Sequence, residues 1–327
     1  MNNRAYTILR TAAGSPPSVS GFQYLRKMGN RVIAADCEDY SVGFCFADAA
    51  YIVPRADSPD YLDALLEICQ SEKVDLFLPS LDEELLLVSR NRPAFDKIKT
   101  RVVISSPETL ELCVDKYHTY LAFMQHGIPA IPTQLATGDR ERNPFAFPVV
   151  IKPRQGRGSS GVYIANNVKE WEFFRHYVAD AIVQPLIPGV EYTVDILADM
   201  NSDLKIASPR KRLATDSGIS SKGMTAWHPV MIEQIEKMVK CFQLIGPANI
   251  QCFLTENKEL FFSEINARLA GTGILSIAAG VPLYEAVIAL AKGEPIKEHR
   301  VPVDELVMLR YWSETYFPPG QRTGRKP

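Results

Sequence analysis

The sequence predicts an α/β protein in which a doubly wound N-terminal domain precedes a region of α+β character. Two observations support this prediction. Apolar runs of the β type alternate with helical patterns over residues 1–112, which is typical of a mostly parallel sheet. After Cys113 the chain changes character, and two apolar runs separated by a short polar turn near residue 256 indicate an antiparallel hairpin.

The individual elements of the first 112 residues follow one another in the order that a doubly wound sheet requires. The β-type runs are Tyr6–Leu9, Arg31–Ala35, Ala50–Val53, Leu76–Pro79 and Arg101–Ile104, and the helical patterns are Val19–Met28, Tyr61–Glu72 and Glu83–Arg90.

The turn after the first apolar run does not have the pattern of a dinucleotide-binding loop. It holds glycine at only two positions, and Pro16 and Pro17 stand where the backbone would have to approach a pyrophosphate. A nicotinamide-dependent oxidoreductase is therefore disfavoured. Asp36, which closes the second run, is more typical of a strand-end turn than of a ribose ligand.

Composition and charge exclude several classes of protein. The chain has 327 residues, of which 46% are hydrophobic and 23% charged, enough for two or more packed domains. A net charge of -2 provides no field that would attract nucleic acid or an anionic membrane.

The N-terminal segment lacks an apolar signal core and no run of about 20 apolar residues follows, so we expect a cytoplasmic protein. Six cysteines without C-x-x-C spacing predict buried free thiols rather than disulfides or a zinc site.

A glycine-rich segment follows the apolar run Phe147–Pro153, which carries Lys152 near its end. Glycines free the backbone to wrap an anion, and a lysine just before such a loop can neutralise phosphate charge. No G-K-[ST] follows, so the segment is not a Walker A loop, and a flexible hairpin tip remains the alternative. The residues that carry the pattern are Gly156, Gly158, Ser159, Ser160 and Gly161.

Residues 181–191 form an apolar run, a proline-interrupted extended stretch, and then a glycine and an acid. An extended stretch that cannot pair fully leaves backbone N–H and C=O groups free for the edge of an adenine. We therefore expect Gln184, Pro185, Leu186 and Ile187 to present their backbone to adenine, and Glu191 to accept hydrogen bonds from ribose hydroxyls.

The segment LFFSEINAR places Glu264, Asn266 and Arg268 at spacings of two. Side chains two apart on a strand point to the same face, so a carboxylate, an amide and a guanidinium converge. Such oxygens suit Mg²⁺, and the arginine can hold an anion beside the metal. A hairpin between residues 248–254 and 259–266 would bring Gln251 near Glu264. For the motif alone, a half-buried strand running into a polar turn is the alternative.

These motifs together resemble one superfamily. Lys116 at a helix start, VVIKP with its glycine–serine loop, QPLIPGVE and the strand ending EINAR follow the order and spacing of ATP-grasp proteins. The chain is most similar to single-chain proteins related to half of the carbamoyl phosphate synthase large subunit. The resemblance implies a biotin-carboxylase-like domain at 1–112, ATP-grasp subdomains at 113–190 and 191–300, and a C-terminal return segment with a frayed tail at 301–327.

The resemblance also implies roles for the motif residues. Lys116 and Lys152 would bind the α- and β-phosphates of ATP, the loop 156–161 would close over the β- and γ-phosphates, residues 184–187 would hold adenine, and Glu191 would bind ribose. Glu264 would bridge two Mg²⁺ or Mn²⁺ ions, with Gln251 and Asn266 each contacting one, and Arg268 would steady an acyl phosphate. Gln251 departs from the carboxylate of many ligases and matches the carbamoyl phosphate synthase pattern.

The substrate side is less defined by the sequence. Arg210, Lys211 and Arg212 end a predicted strand, and the polar segment 215–225, which contains Lys222, is expected to be a flexible loop. Our hypothesis is that Arg212 and Lys222 act in catalysis by closing on the acyl phosphate; a solvated basic edge is the alternative. His228 is interpreted as a surface residue rather than a base.

The favoured function is an ATP- and Mg²⁺-dependent carboxylate–amine ligase that acts through an acyl phosphate and releases ADP and phosphate. One alternative is the phosphorylation of bicarbonate or carbamate in the manner of carbamoyl phosphate synthase. A second is a nucleotide-binding regulatory protein without catalysis. The expected partners are small carboxylates and amines, with no nucleic acid and no membrane, and a homodimer is one open possibility for the oligomeric state.

Overall fold

The computed structural model describes residues 5–136, 143–156, 158–216, 218–303, 305–318 and 324–325. Its first part is a five-stranded sheet, all parallel, in the order β3-β2-β1-β4-β5, as the alternating pattern predicted. The strands are β1 Thr7–Arg10, β2 Arg31–Asp36, β3 Ala49–Ile52, β4 Leu76–Leu78 and β5 Arg101–Val102. The helices are α1 Pro16–Lys27, α2 Tyr61–Ser71, α3 Asp82–Arg90, α4 Arg92–Lys97 and α5 Pro107–Val114, with a 3-10 helix at Val42–Phe46.

The second part begins with helix α6, Lys116–Gln125, whose N-cap is Asp115; the Asp115 carboxylate accepts hydrogen bonds from the N–H groups of Tyr117 and His118. A four-stranded antiparallel sheet in the order β6-β9-β7-β8 follows. Its strands are β6 Gln134–Leu135, β7 Val149–Pro153, β8 Tyr163–Ala165 and β9 Ala181–Pro185, and helix α7 spans Val168–Tyr177.

The third part is a six-stranded antiparallel sheet in the order β14-β13-β10-β11-β12-β15. Its strands are β10 Gly189–Ala198, β11 Leu204–Asp216, β12 Ile219–Thr225, β13 Gly246–Thr255, β14 Leu260–Asn266 and β15 Val307–Leu309. Helices α8 Pro229–Phe242, α9 Ile274–Ala278 and α10 Leu283–Lys292 accompany it. One face of the sheet buries Tyr192, Val194 and Ile196 with the apolar stripe of α8, which leaves the other face for polar side chains.

Three expectations about secondary structure were wrong. The segment 215–225 is not a loop: β11 continues to Asp216 and β12 begins at Ile219, because β11 and β15 pair with β12 on either side. The apolar spacing over residues 272–292 predicts one core-facing helix, but the structure divides it into α9 and α10, since Gly280 has φ +91° and Pro282 cannot continue a helix. Part of the expected frayed tail is ordered, because Arg325 exchanges backbone hydrogen bonds with Ala50 and Ile52.

Helix α10 packs between the parallel sheet and the six-stranded sheet, whose Leu197 and Ile206 belong to the same core. Its Leu283, Val287 and Leu290 share one core with Ile8 of β1 and Phe22 of α1. The N-terminal domain and the six-stranded sheet are thereby held against each other, with the carboxyl end of β1 between them.

Three cysteines, Cys69, Cys113 and Cys252, are buried as predicted, but Cys37 and Cys45 are exposed and Cys241 is half-buried. None of the helices in the described ranges is long and apolar enough to cross a membrane.

Candidate functional site

The polar face of the six-stranded sheet collects side chains from four neighbouring strands. Thr193 of β10 lies opposite Arg210 of β11 and opposite Gln251 of β13, which in turn lies opposite Glu264 of β14. This is the Gln251–Glu264 register that the hairpin pattern predicted. Because residues two apart share a face, Asn249 and Asn266 form the next row on the same side.

Amide hydrogen bonds fix the end of this face. Asn266 Nδ2 donates to Glu264 Oε1 at 3.1 Å and to Asn249 Oδ1 at 3.3 Å. Asn249 Nδ2 donates to the carbonyl of Arg268 at 3.0 Å. Sequence reasoning missed Asn249, although it stands two residues before Gln251 and the same alternation rule places both on one face.

The donor set at this end of the sheet suits a hard cation that arrives with phosphate. It contains the Glu264 carboxylate and the amides of Asn249, Gln251 and Asn266, all of which line one cavity. The described part of the chain holds no group of three or more His, Cys, Asp or Glu residues placed to bind a metal. One carboxylate with neutral oxygen donors fits Mg²⁺, which keeps water and substrate phosphates among its ligands.

Lys152 on β7 lies near the carboxylates of Glu264 and Glu191. Burial lowers the pKa of the Lys152 ammonium to about 8, an effect that the charge of Glu264 opposes and that of Lys116 reinforces. Glu191 is close enough to contribute as well. A lysine that is costly to charge in the free protein, beside two carboxylates, is suited to receive a polyanion.

The glycine loop after β7 lies over the turn between β11 and β12. A Cβ atom on Gly218 would fall 2.7 Å from the carbonyl carbon of Gly158, so the two backbones are in close contact there. Lys116 Nζ donates to the carbonyl of Gly156 at 2.8 Å, which ties the start of α6 to this loop. Arg157 and Ser217 lie outside the described residues.

Glu191 and Arg212 are cross-strand neighbours. Arg212 Nη1 donates to Glu191 Oε1 at 2.7 Å and Nη2 donates to the carbonyl of Gly218 at 2.7 Å, while the buried Nε has no partner among the described residues. Burial raises the pKa of the Glu191 carboxyl, against the effect of Arg212. The structure does not bring Lys222 to this place: it is exposed on β12, opposite Leu309, and is absent from the cavity lining.

Backbone pairing with β7 extends into the segment that was expected to be free for adenine. Gln184 lies opposite Val150, and the Leu186 N–H donates to the carbonyl of Pro148 at 3.1 Å, so this N–H is not free. The Gln184 side chain is buried and donates from Nε2 to Thr133 Oγ1 at 2.8 Å. Any adenine contact in residues 184–187 therefore falls to backbone groups other than the Leu186 N–H.

Arg268 is held by a residue that sequence reasoning missed. Its Nε and Nη2 donate to Asp82 Oδ1 at 2.8 Å and Oδ2 at 2.6 Å, a bidentate pair. Asp82 begins α3 at the carboxyl end of β4, where the acidic run Asp82–Glu84 was the available signal. The buried Glu84 accepts from the N–H groups of Ser80 and Leu81, and so fixes the turn that carries Asp82.

Two other sequence candidates are structural. Arg210 is 1% exposed and forms a bidentate pair with Asp195 at 2.7 and 2.8 Å, with a further bond to Thr272 Oγ1. His228 is the N-cap of α8, where Nδ1 accepts from the Met231 N–H at 3.3 Å. Neither presents a free functional group to a substrate.

One cavity of about 190 Å³ unites these elements. Its wall includes Gly158 from the glycine loop, Arg212, Glu264 and Arg268 from the six-stranded sheet and its end, and Arg10 from the N-terminal domain. A second cavity of about 360 Å³ lies at the carboxyl edge of the parallel sheet and shares Ala12 and Ser15 with the first.

Comparisons with known proteins agree with this arrangement. Residues 8–103 match the family described as PylC-like, N-terminal domain, and residues 113–272 match the family described as ATP-grasp domain. A carbamoyl-phosphate synthase of Methanobrevibacter smithii is 23% identical over 92% of this chain and 84% of its own length. A biotin carboxylase of Halalkalibacterium halodurans is 23% identical over 90% of this chain and 73% of its own length. An arginine-specific carbamoyl phosphate synthase large chain of that organism is 24% identical over 86% of this chain, which spans 28% of it.

Solved structures show the same fold. N5-carboxyaminoimidazole synthetase from Staphylococcus aureus, complexed with ADP, superposes with a TM-score of 0.75 at 16% identity and covers 95% of this chain and 84% of its own. Biotin carboxylase from Campylobacter jejuni superposes with a TM-score of 0.72 at 18% identity, over 90% of this chain and 73% of its own.

Proposed function

Because this chain belongs to the ATP-grasp superfamily, we propose that it is an ATP- and Mg²⁺-dependent ligase that joins a carboxylate to an amine and releases ADP and phosphate. The single observation that carries this proposal is the shared cavity: it brings Gly158 of the glycine loop, Glu264 with its amide neighbours, and Arg268 to one place. Phosphoryl transfer needs positioning and charge neutralisation, which are what these groups supply.

The nucleotide lies between the four-stranded and six-stranded sheets. Lys116 and Lys152 neutralise its phosphates, and the loop of Gly156, Gly158, Ser159, Ser160 and Gly161 closes over them. The backbone of residues 184–187 receives adenine. Glu191 receives the ribose hydroxyls with the carboxylate oxygen that Arg212 leaves free.

Glu264, Gln251 and Asn266 would hold the Mg²⁺ that accompanies the phosphates, as two ions in the finer form of the proposal. When bound, Mg²⁺ supplies positive charge that neutralises the transferring phosphoryl group. Asn266 must turn its amide for this, because its Nδ2 lies beside Glu264 in the structure. The turn exchanges a hydrogen-bond donor for an oxygen ligand and frees Asn249 Oδ1.

The chemical steps balance with the groups present. A carboxylate oxygen of the substrate attacks the γ-phosphorus, the bond to the β-phosphate oxygen breaks, and ADP leaves. The nitrogen of a neutral amine then attacks the acyl carbon, inorganic phosphate leaves with the bonding electrons, and the amine loses a proton. Arg268, held in orientation by Asp82, stabilises negative charge on the acyl phosphate. We assign Arg212, which lines the same cavity, to the γ-phosphate.

One observation supports a second candidate, the phosphorylation of bicarbonate or carbamate. Gln251 provides a neutral ligand opposite Glu264, as the carbamoyl phosphate synthase pattern would have it, and a relative of that name aligns over most of both chains. In this case bicarbonate alone would stimulate ADP release.

Acceptor-stimulated ADP release tests the proposal. Purified protein is incubated with ATP, Mg²⁺ and a panel of carboxylates, with and without amines, and with bicarbonate in a separate arm. We expect release that requires a carboxylate and an amine together and is lost in Glu264→Gln, by about 3 kcal/mol or more of transition-state stabilisation. Glu259→Gln, an exposed glutamate at the hairpin turn before β14, is the matched control. Release in Glu264→Gln equal to that of the native protein would contradict the assignment.

A further inference from the structure

Arg10 ends β1 inside the shared cavity and is not used by the mechanism above. The residue is 7% exposed. Its guanidinium lies between two aromatic rings, 5.3 Å from the centroid of Phe22 and 5.7 Å from that of Tyr284, and Nη1 donates to Tyr284 Oη at 3.0 Å. Aromatic faces attract such a cation, and more strongly when it is desolvated.

This guanidinium differs from its neighbours because it has no carboxylate. Arg212 pairs with Glu191, Arg268 with Asp82, and Arg210 with Asp195. Within the described ranges, Arg10 has no Asp or Glu at ion-pair distance, and its Nε is buried without a hydrogen-bond partner. A buried charge without a counter-ion is costly because it has lost its hydration, so the missing anion is expected to be a ligand.

The fold makes room for this side chain at a cost to helix α1. Gly21 stands in the middle of that helix, where glycine is less favourable than alanine. A Cβ atom there would fall 1.9 Å from Arg10 Nη1 and 2.5 Å from Tyr284 Oη, so the glycine is needed for the guanidinium to lie where it does.

The neighbouring helix end does not supply the usual anion contacts. Pro16 and Pro17 occupy the first positions of α1 and have no N–H, and the Ser18 N–H donates to the carbonyl of Ser15. Ser15, Pro17 and Ser18 also line this part of the cavity, where Arg10 is the cationic group that has no carboxylate partner among the described residues.

We propose that Arg10 is an anion-binding residue that holds a non-reacting carboxylate or phosphate group of the acceptor substrate. The inference rests on the proposed function in one respect, that this cavity receives the acceptor. It deepens that function because it makes the acceptor an amine that also carries an acid group, with the acid toward the N-terminal domain.

Anion binding tests the site without turnover. With the nucleotide site saturated by ADP and Mg²⁺, the thermal stability of the native protein, Arg10→Met, Arg10→Lys and the control Arg26→Met is measured against acetate, succinate and inorganic phosphate. Arg26 is an exposed arginine of helix α1 and is paired with Asp48. We expect the carboxylates or phosphate to stabilise the native protein and Arg26→Met to the same extent. The anion affinity derived from this stabilisation should be at least tenfold weaker in Arg10→Met and partly retained in Arg10→Lys. Which anions act distinguishes the two sources of negative charge.

The stability of the unliganded proteins guards against a folding artefact. Arg10→Met removes an unpaired buried charge at nearly constant volume, so we expect a melting temperature equal to or above that of the native protein. A folded Arg10→Met that keeps the same anion-dependent stabilisation as the native protein would overturn the proposal.

Acceptor kinetics complete the test. L-alanine, L-alaninamide and ethylamine, and phosphoethanolamine as a phosphate-bearing amine, are compared as acceptors. For the acid-bearing acceptor that the anion test favours, we expect Arg10→Met to raise KM at least tenfold and to remove its preference over the analogues without an acid group. If the native protein used acceptors with and without an acid group equally, the role of Arg10 would be contradicted while the ligase remained intact. The native protein could instead show no acceptor-dependent ADP release and still bind anions through Arg10. That result would contradict the proposed function but not the anion-binding site.

Discussion

Asp82 and Arg268 form a bidentate ion pair between residues 186 apart in the chain, with 2.8 and 2.6 Å between the bonded atoms. Asp82 belongs to the N-terminal domain and Arg268 follows the strand that carries Glu264. The pair therefore couples the placement of the N-terminal domain to the orientation of a guanidinium in the proposed active site.

Asp82→Asn should reduce turnover more than it reduces nucleotide binding. The amide cannot accept both guanidinium bonds, so Arg268 loses its fixed orientation, and the unfolding free energy should fall by about 1–3 kcal/mol. Denaturant unfolding and ADP release measure the two effects. Asp57→Asn, in an ion pair whose side chains are 75% and 72% exposed, is the control and should change the unfolding free energy by less than about 1 kcal/mol. Native turnover in a folded Asp82→Asn protein would count against the coupling.

Lys152 should take up a proton when ATP binds at pH 8.5. Its pKa of about 8 in the free protein leaves most molecules neutral at that pH, and a bound polyphosphate favours the charged form. Calorimetry in buffers of different ionisation enthalpy measures the uptake, which Lys152→Met should remove and Lys169→Met, an exposed lysine of α7, should retain. Binding without proton uptake in the native protein would exclude this linkage.

The same pKa predicts how Lys152 contributes to stability. Between the folded pKa of about 8 and the ordinary value of 10.5, the unfolded chain binds more protons at this residue than the folded chain. The contribution of Lys152 to the unfolding free energy therefore rises with pH across this window. The difference in unfolding free energy between the native protein and Lys152→Met, measured from pH 7.5 to 10, should show that rise. A difference that stays constant over this range would refute the prediction.

Gln251→Glu should bind Mg²⁺ more tightly and be less stable without it. The new carboxylate would lie directly opposite Glu264, where like charges repel by roughly 0.2–1 kcal/mol until a cation separates them. Titration of Mg²⁺ or Mn²⁺ followed by melting temperature tests both parts at once. A metal affinity that does not change would mean that the side chain does not reach the ion.

Gly218→Ala should weaken nucleotide binding by displacing the glycine loop. The added Cβ would meet the Gly158 carbonyl carbon at 2.7 Å, whereas Gly280, which also has positive φ, has open space around it. Gly280→Ala therefore carries the backbone strain without the contact, and is the matched control. A lower ATP affinity in the first variant only, with similar melting temperatures, is the expected outcome. Equal affinities in the two variants would show that the contact has no role in binding.

Arg210→Met tests the structural role of the buried arginine of β11. Removing one member of its buried pair leaves Asp195 charged and without its main partner, at a cost of about 3–5 kcal/mol. We expect a large fall in the unfolding free energy, relieved when Asp195→Leu is added. A stable single variant with impaired turnover would assign Arg210 to the substrate instead.

The sequence by itself determined the parts of the site that depend on local geometry. The period of two along a strand placed Glu264 and Asn266 on one face, and the turn between the two apolar runs set the register that brought Gln251 opposite Glu264. The alternation of strands and helices likewise determined the parallel sheet, because each element buries its own apolar face.

Only the tertiary structure decided which charges are already paired and which are free. Arg210, Arg212 and Arg268 looked alike in sequence, but their partners lie 15, 21 and 186 residues away. The aromatic ring and hydroxyl that Arg10 contacts belong to Tyr284, 274 residues away in the chain. Segment 219–225 became a strand because β11 and β15 pair with it on either side. Such contacts are set by how separately formed sheets and helices pack, and the spacing of residues along the chain carries no record of that packing.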